Sequence, residues 1–206
     1  EGFVYPIIPL YLLSRGLTDG DVGLVNGLFF AGVVGAEIPT GYVGDKIGRR
    51  NSLIVSTLLM SVSLLAFTVS GSVPAFSAVY VFWGIALTFR SGTGSAYLYD
   101  MLDERLDTDE YSKITGRGGA AFLVTSAVTS IAGGVLYGVD HRIPFVAAGI
   151  VTASGAFVLL SMPETEQYAD GEGGSAFSAR DAWETVREKF LAPELRTFIV
   201  YTALLL

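Results

Sequence analysis

Five long windows almost empty of charge decide what this chain can fold into. They run from about Val22 to Val43, Ser52 to Ser70, Ala75 to Leu98, Gly116 to Val139 and Ile143 to Met162, each of roughly 19 to 24 residues. At ~1.5 Å per residue, a helix of that length crosses a ~30 Å hydrocarbon core. A soluble bundle of such helices needs a charged face on each member, and none of the windows has one. The chain therefore reads as an all-α polytopic membrane protein whose first partner is the lipid bilayer. Composition agrees, with 51% hydrophobic residues and a mean hydropathy of +0.53, well above an ordinary soluble domain.

What is missing narrows the chemistry. Zero cysteines exclude disulfides and thiolate chemistry, and a single histidine, His141 in a loop, argues against a His-rich metal site. The glycine pair at Gly118-Gly119 lacks the Lys-Ser/Thr end of a phosphate-binding loop. No cofactor, catalytic residue or nucleic-acid partner is expected. The residues before Asp19 contain neither a basic leader nor a small-residue cleavage site, so they do not read as a secretory signal. The chain opens inside one apolar run and closes inside another, Phe198 to Leu206. It is read as most of a first span, five complete spans and the start of a seventh.

Three regions follow: 1–162, six transmembrane helices with the first truncated; 163–194, a cytoplasmic linker; and 195–206, the start of the seventh span. The linker turns to Gly, Glu, Asp and Ser from Glu166 to Ser178. It then places Ala182, Trp183, Val186 and Phe190 about a turn apart, a pattern predicting a short amphipathic helix on the membrane surface.

Cations orient the chain. Ten of the 13 Lys and Arg residues follow spans 2, 4 and 6, two follow spans 1, 3 and 5, and Arg90 lies inside span 4. By the positive-inside rule the even loops and the N-terminus are cytoplasmic, in a plasma (cell inner) membrane. The net charge of −7 is local, since 15 of the 20 acids lie on that same side.

The densest of these loops is Gly41-Tyr-Val-Gly44-Asp45-Lys46-Ile-Gly48-Arg49-Arg50, between spans 2 and 3. In residue types, spacing and place it resembles the loop motif of the major facilitator superfamily of transporters. Arg90-x-x-Thr93-Gly94-x-Ala96 in span 4 is similar to that family's arginine motif, with Thr93 where Gln is more usual. In span 5, Thr129-Ser130 stand where antiporter subfamilies carry Gly-Pro before the glycine pair, here Gly133-Gly134. The resemblance implies the six-helix N-terminal half of a twelve-helix bundle, built as two inverted three-helix repeats. It also implies a cytoplasmic gate formed by Gly41, Asp45, Lys46, Gly48, Arg49 and Arg50, with Asp45 facing a helix N-terminus of the second half. Arg49 can reach an acid at the inner end of span 4, and Asp100 is the candidate.

Charges inside a membrane are functional candidates by default. Counted from the outer boundary, Glu1 lies roughly 20 Å down span 1, and Glu37 and Arg90 each roughly 22 Å down spans 2 and 4. One layer thus holds two acids and one arginine. Arg90 is expected to pair with Glu1 or Glu37, leaving the other acid to bind a proton or a substrate cation, or else to fix helix register. Trp83, one to two turns before Arg90, is a candidate for lining the cavity. The span 2 glycines and Gly133, Gly134 and Gly138 are expected to serve close helix packing. Span 3, which carries no charge, is expected to face lipid around much of its circumference. Asp19 or Asp21 is expected to cap span 2.

The function these features predict is a monomeric, non-enzymatic permease moving a small solute by alternating access, with proton coupling. A seven-helix receptor or sensor is the alternative, and a membrane-embedded enzyme with paired carboxylates a more distant one.

Overall fold

The computed structural model describes residues 2–91, 93–105 and 111–164. Glu1, the linker with its surface helix and the start of the seventh span lie outside the described residues. Among the described residues, seven helices follow one another: α1 (Ile8–Ser14), α2 (Asp19–Ile47), α3 (Arg49–Val69), α4 (Val73–Thr88), α5 (Thr93–Arg105), α6 (Tyr111–Val139) and α7 (Ile143–Ser161). Among the described residues, five stretches are long and apolar enough to cross a membrane: α2, α3, α4 continued by α5, α6 and α7. They coincide with the five charge-poor windows.

Local chemistry explains the boundaries. Residues 2–7 run as turns, and α1 begins where Pro9 fits in a first helical turn, which needs no N–H from it. The first span is therefore helical only from Ile8 onward among the described residues. At the start of α2, the Thr18 hydroxyl accepts from the Asp21 N–H at 3.2 Å, and the Asp21 carboxylate accepts from the Thr18 N–H at 2.9 Å. The cap is Thr18, with Asp21 as its reciprocal partner in a capping box, and not an aspartate as expected from the sequence. Gly48, at φ +84°, ends α2 and lets α3 start at the next residue. That left-handed backbone conformation suits glycine and few other residues.

Among the described residues, span 4 carries two helices with a turn at 89–91 between them. α4 stops at Thr88, the Arg90 and Ser91 N–H groups both return to the Leu87 carbonyl, and α5 starts at Thr93. The Ser-Gly-Thr-Gly-Ser run after Arg90 combines residues with weak helix preference, which favours a break there.

α3 is the axis of the bundle. It packs along α7 and α4 and touches α5 and α2. Ser52, Ser56, Met60, Ser63 and Phe67 form a buried stripe along it. The Ser56 hydroxyl donates to the Ala86 carbonyl of α4 at 2.6 Å, and the Ser61 hydroxyl to the Gly149 carbonyl of α7 at 2.9 Å. One face of span 3 is thus a helix–helix contact made by serines that are neutral by charge, while Leu58, Val62, Leu65 and Val69 of the same helix stay exposed.

Glycines bring the other pairs close. A Cβ on Gly84 of α4 would stand 2.8 Å from the Phe29 carbonyl of α2, and one on Gly32 would stand 3.2 Å from the Val81 carbonyl. Gly133 of α6 lies against the backbone of Phe3, and the Ser130 hydroxyl donates to the Gly2 carbonyl at 3.0 Å. Gly23, Gly27, Gly35, Gly134 and Gly138 meet nothing within 4 Å among the described residues, so only some of the expected packing glycines act here. Toward the end away from the loop motif, Tyr11, Phe67, Phe76, Tyr80, Trp83 and Phe145 form an aromatic core. The Tyr11 hydroxyl in it donates to the Phe67 carbonyl at 3.0 Å.

Candidate functional site: the motif end and the cavity beside it

Antiparallel packing gathers the α2–α3 turn, the end of α5 and the end of α7 at one end of the bundle. The cations of the loop motif reach across it. Arg49, on the first turn of α3, forms an ion pair with Asp100 of α5 at 2.9 Å, the two side chains being 25% and 11% exposed. Asp100 is the partner proposed for it from the sequence. Arg50 turns the other way. It donates to the Met162 carbonyl at 2.9 Å and pairs with Glu164 at 3.2 Å. A guanidinium is well placed there, because the last carbonyls of α7 carry the negative end of its dipole. The Tyr97 hydroxyl of α5 donates to the Pro163 carbonyl at 2.6 Å, closing the ring of contacts. Lys46 stands 4.5 Å from the centroid of the Tyr42 ring, a cation–π distance.

Two adjacent arginines thus have different duties, one holding α3 to α5 and the other holding α3 to the end of α7. Sequence reasoning reached the first and missed the second. The available signal was Glu164, an acid directly after span 6 and on the same side as Arg50. Asp45 lies on the last turn of α2. Gly41 meets nothing within 4 Å, so its face of α2 is open among the described residues.

A cavity of about 220 Å³ adjoins this end, between α2, α3 and the α4–α5 junction. Glu37, Thr40, Ser52, Thr88, Ser91 and Thr93 line it, and Arg49 forms part of its wall. Glu37 is exposed and makes no ion pair among the described residues. Of the two pairings expected for Arg90, that with Glu37 is therefore not formed, and Glu1 lies outside the described residues. Arg90 is exposed on the turn between α4 and α5, in contact with a neighbour. Trp83 sits in the aromatic core at 3% exposure, with Phe29 and Phe67 rings 5.8 Å away and Tyr5 at 5.9 Å. Its indole N–H is buried with no hydrogen-bond partner among the described residues. Of the layer expected from residue counting, Glu37 stands beside an open polar cavity and Arg90 on the exposed turn between α4 and α5, while Trp83, expected to line the cavity, lies in packed aromatics.

The sequence model of the family described as Major Facilitator Superfamily matches residues 1–206. Among curated proteins, an uncharacterized MFS-type transporter, MJ1560, of Methanocaldococcus jannaschii is 26% identical over 160 residues, covering 76% of this chain and 40% of that protein. The quinolone resistance protein NorA of Staphylococcus aureus is 24% identical over 148 residues, covering 72% of this chain and 37% of NorA. The chain thus spans about two fifths of the length of the curated relatives it matches.

Proposed function

The chain belongs to the Major Facilitator Superfamily, and from that premise we propose that it is the N-terminal half, 1–162, of a secondary active transporter that moves a small solute by alternating access. In this reading 163–194 is the cytoplasmic linker to the second half, the motif end faces the cytoplasm in a plasma membrane, and no covalent chemistry is performed. The observation that carries it is the pair of arginine clamps at the motif end. Arg49–Asp100 ties α3 to α5, and Arg50–Glu164 ties α3 to the residues just after α7. A half that rocks as a unit is what alternating access requires. Asp45 then meets the positive end of a helix in the second half, and that contact closes the cytoplasmic side.

Coupling to protons is assigned to the intramembrane acids, with Glu37 as the group of this half that stands beside polar space. Glu1 and Arg90 are the second pair to test. Trp83, from its packing, serves by holding α2, α3 and α4 together beside the central cavity. The name of the staphylococcal relative makes quinolones the first compounds to screen.

The test is solute movement in proteoliposomes of the full-length protein under an imposed pH gradient. Glu37→Gln and Glu1→Gln are expected to lower gradient-driven movement, and Arg90→Ala to lower it further. Wild-type rates in all three would remove the coupling assignment. Asp45→Asn is expected to change the transport rate while leaving substrate affinity nearly unaltered, because the motif lies roughly 12 Å from Glu37 along α2. A pure affinity defect would count against the gate.

A further inference from the structure

The turns at the end away from the loop motif carry few cations, and those few converge. Arg15 and Arg142 are the two Lys or Arg residues that follow spans 1, 3 and 5. Far apart in the chain, both line one cavity of about 410 Å³ between the end of α1 and the α6–α7 turn. His141, the single histidine of the sequence, lines it as well. Such a volume falls within the roughly 300–1,000 Å³ of small-ligand sites. Membrane orientation depends on cations in the opposite loops, so it gives no reason for two guanidiniums and an imidazole on this cavity. An anion does.

Arg15 is fixed in place. One of its N–H groups donates to the Ser70 carbonyl at 2.9 Å, and its guanidinium carbon stands 5.9 Å from the centroid of the buried Tyr11 ring. Its other N–H groups are left for a ligand among the described residues. The Arg142 side chain makes no hydrogen bond or ion pair among the described residues, although Asp140 is two residues away. Asp140 Oδ1 instead accepts from the Arg142 backbone N–H at 2.7 Å, which ties that carboxylate to its own turn. Tyr137 stacks on His141 with ring centroids 4.3 Å apart and planes 25° from parallel. An imidazole keeps at least one N–H donor whether neutral or charged. The Tyr11 and Ser14 hydroxyls already donate to the Phe67 and Tyr11 carbonyls. The donors open to a guest are therefore those of Arg15, Tyr137, His141 and Arg142.

We propose that this cavity binds a phosphate group, held by Arg15 from the α1 side, by Arg142 from the α6–α7 turn, and by His141 and Tyr137. One guanidinium fork fills a planar carboxylate, whereas a phosphate spreads its acceptor oxygens in three dimensions and takes donors from both sides. With His141 neutral, the lining carries two positive charges and one negative, that of Asp140, so it attracts anions. Beside it, Leu13 of α1 and Val139 of α6 are 41% and 74% exposed, an apolar surface on which acyl chains can lie. The phosphate of a lipid headgroup and a free phosphate anion offer the same chemistry from two sources. Binding stands on this geometry and does not depend on the transport reading.

The experiment uses the full-length protein in detergent micelles and reads binding, so no transport assay enters. Thermal unfolding is followed as inorganic phosphate replaces chloride at constant ionic strength. Native mass spectrometry compares retention of dioleoyl phosphatidic acid with that of dioleoylglycerol, which lacks the phosphate. A rise in unfolding temperature with phosphate supports the site and assigns it a free anion. Selective retention of phosphatidic acid without that rise supports it and assigns a lipid headgroup. Arg142→Gln changes an exposed side chain and is expected to weaken the observed binding about tenfold or more. His141→Ala is expected to weaken it about threefold. Asp140→Asn keeps the acceptor for the turn and removes the acid from the lining, so it is expected to tighten binding about threefold. A turn that served structure alone would not give that opposite sign. No response in either arm, or undiminished binding in Arg142→Gln, overturns the site, and weaker binding in Asp140→Asn overturns its electrostatic basis.

Discussion

α3 and α6 are two apolar spans that the sequence treats almost alike and the bundle treats oppositely. α3 is buried along a whole stripe, from Ser52 through Phe67. In α6, among the described residues, only Gly133 is buried. Hydropathy does not separate them, because lipid tails are as apolar as leucine and give no preference for protein over lipid. What separates them is the side chains that need or permit a neighbour. α3 carries serines whose hydroxyls reach carbonyls of α4 and α7, and α6 carries one glycine where the Phe3 backbone comes close. Buried position in this half follows hydrogen-bonding and steric complementarity, and not degree of hydrophobicity.

The comparison is broken most easily with phenylalanines. Phe67 of α3 is fully buried, in contact with the rings of Phe76, Tyr80, Trp83 and Phe145, whereas Phe122 of α6 is 62% exposed. Phe67→Ala is expected to destabilise the full-length protein in detergent by about 3–5 kcal/mol, and Phe122→Ala by under about 0.5 kcal/mol. Equal losses would mean that α6 is as packed as α3 in the whole protein. Next in size are two neighbouring glycines of α6. Gly133→Ala forces a Cβ onto the Phe3 carbonyl and is expected to cost about 1–3 kcal/mol by thermal unfolding. Gly134→Ala meets nothing and is expected to be neutral or slightly stabilising.

Smaller effects sharpen the picture of α3. A double-mutant cycle of Arg49→Ala and Asp100→Asn is expected to give a coupling of about 0.5–1 kcal/mol, a part-buried ion pair still reached by solvent. A coupling near zero would leave Arg49 to act through the cavity wall alone. Ser56→Ala removes one interhelical hydrogen bond to Ala86 and is expected to cost about 0.6 kcal/mol. A much larger loss would show that α3 and α4 are held mainly by that bond.

Much of this was legible beforehand, for reasons that lie in particular residues. The charge-free windows appear as helices because a backbone in lipid must satisfy its own hydrogen bonds. Asp100 could be chosen for Arg49 because both fall at the same end of antiparallel neighbours. Glu164 was overlooked because its link to Arg50 spans over a hundred residues and depends on α7 packing beside α3. Trp83 was placed by depth along span 4, but depth does not say toward which neighbour a side chain turns. Its rings of contact come from α2 and α3 together.

The sequence by itself determined that the chain spans a membrane, where the five long apolar helices among the described residues lie, which loops share an end and that the α2–α3 turn bears the family motif. Those properties depend on local charge, length and spacing. Only the tertiary structure decided that α3 is the axis, that Arg90 sits on a turn after α4, and that Glu37 stands beside a hydroxyl-lined cavity with Arg49 at its edge. Each of these depends on which faces of separate helices meet, and in an apolar solvent that is settled by shape and by single hydrogen bonds between residues far apart in the chain.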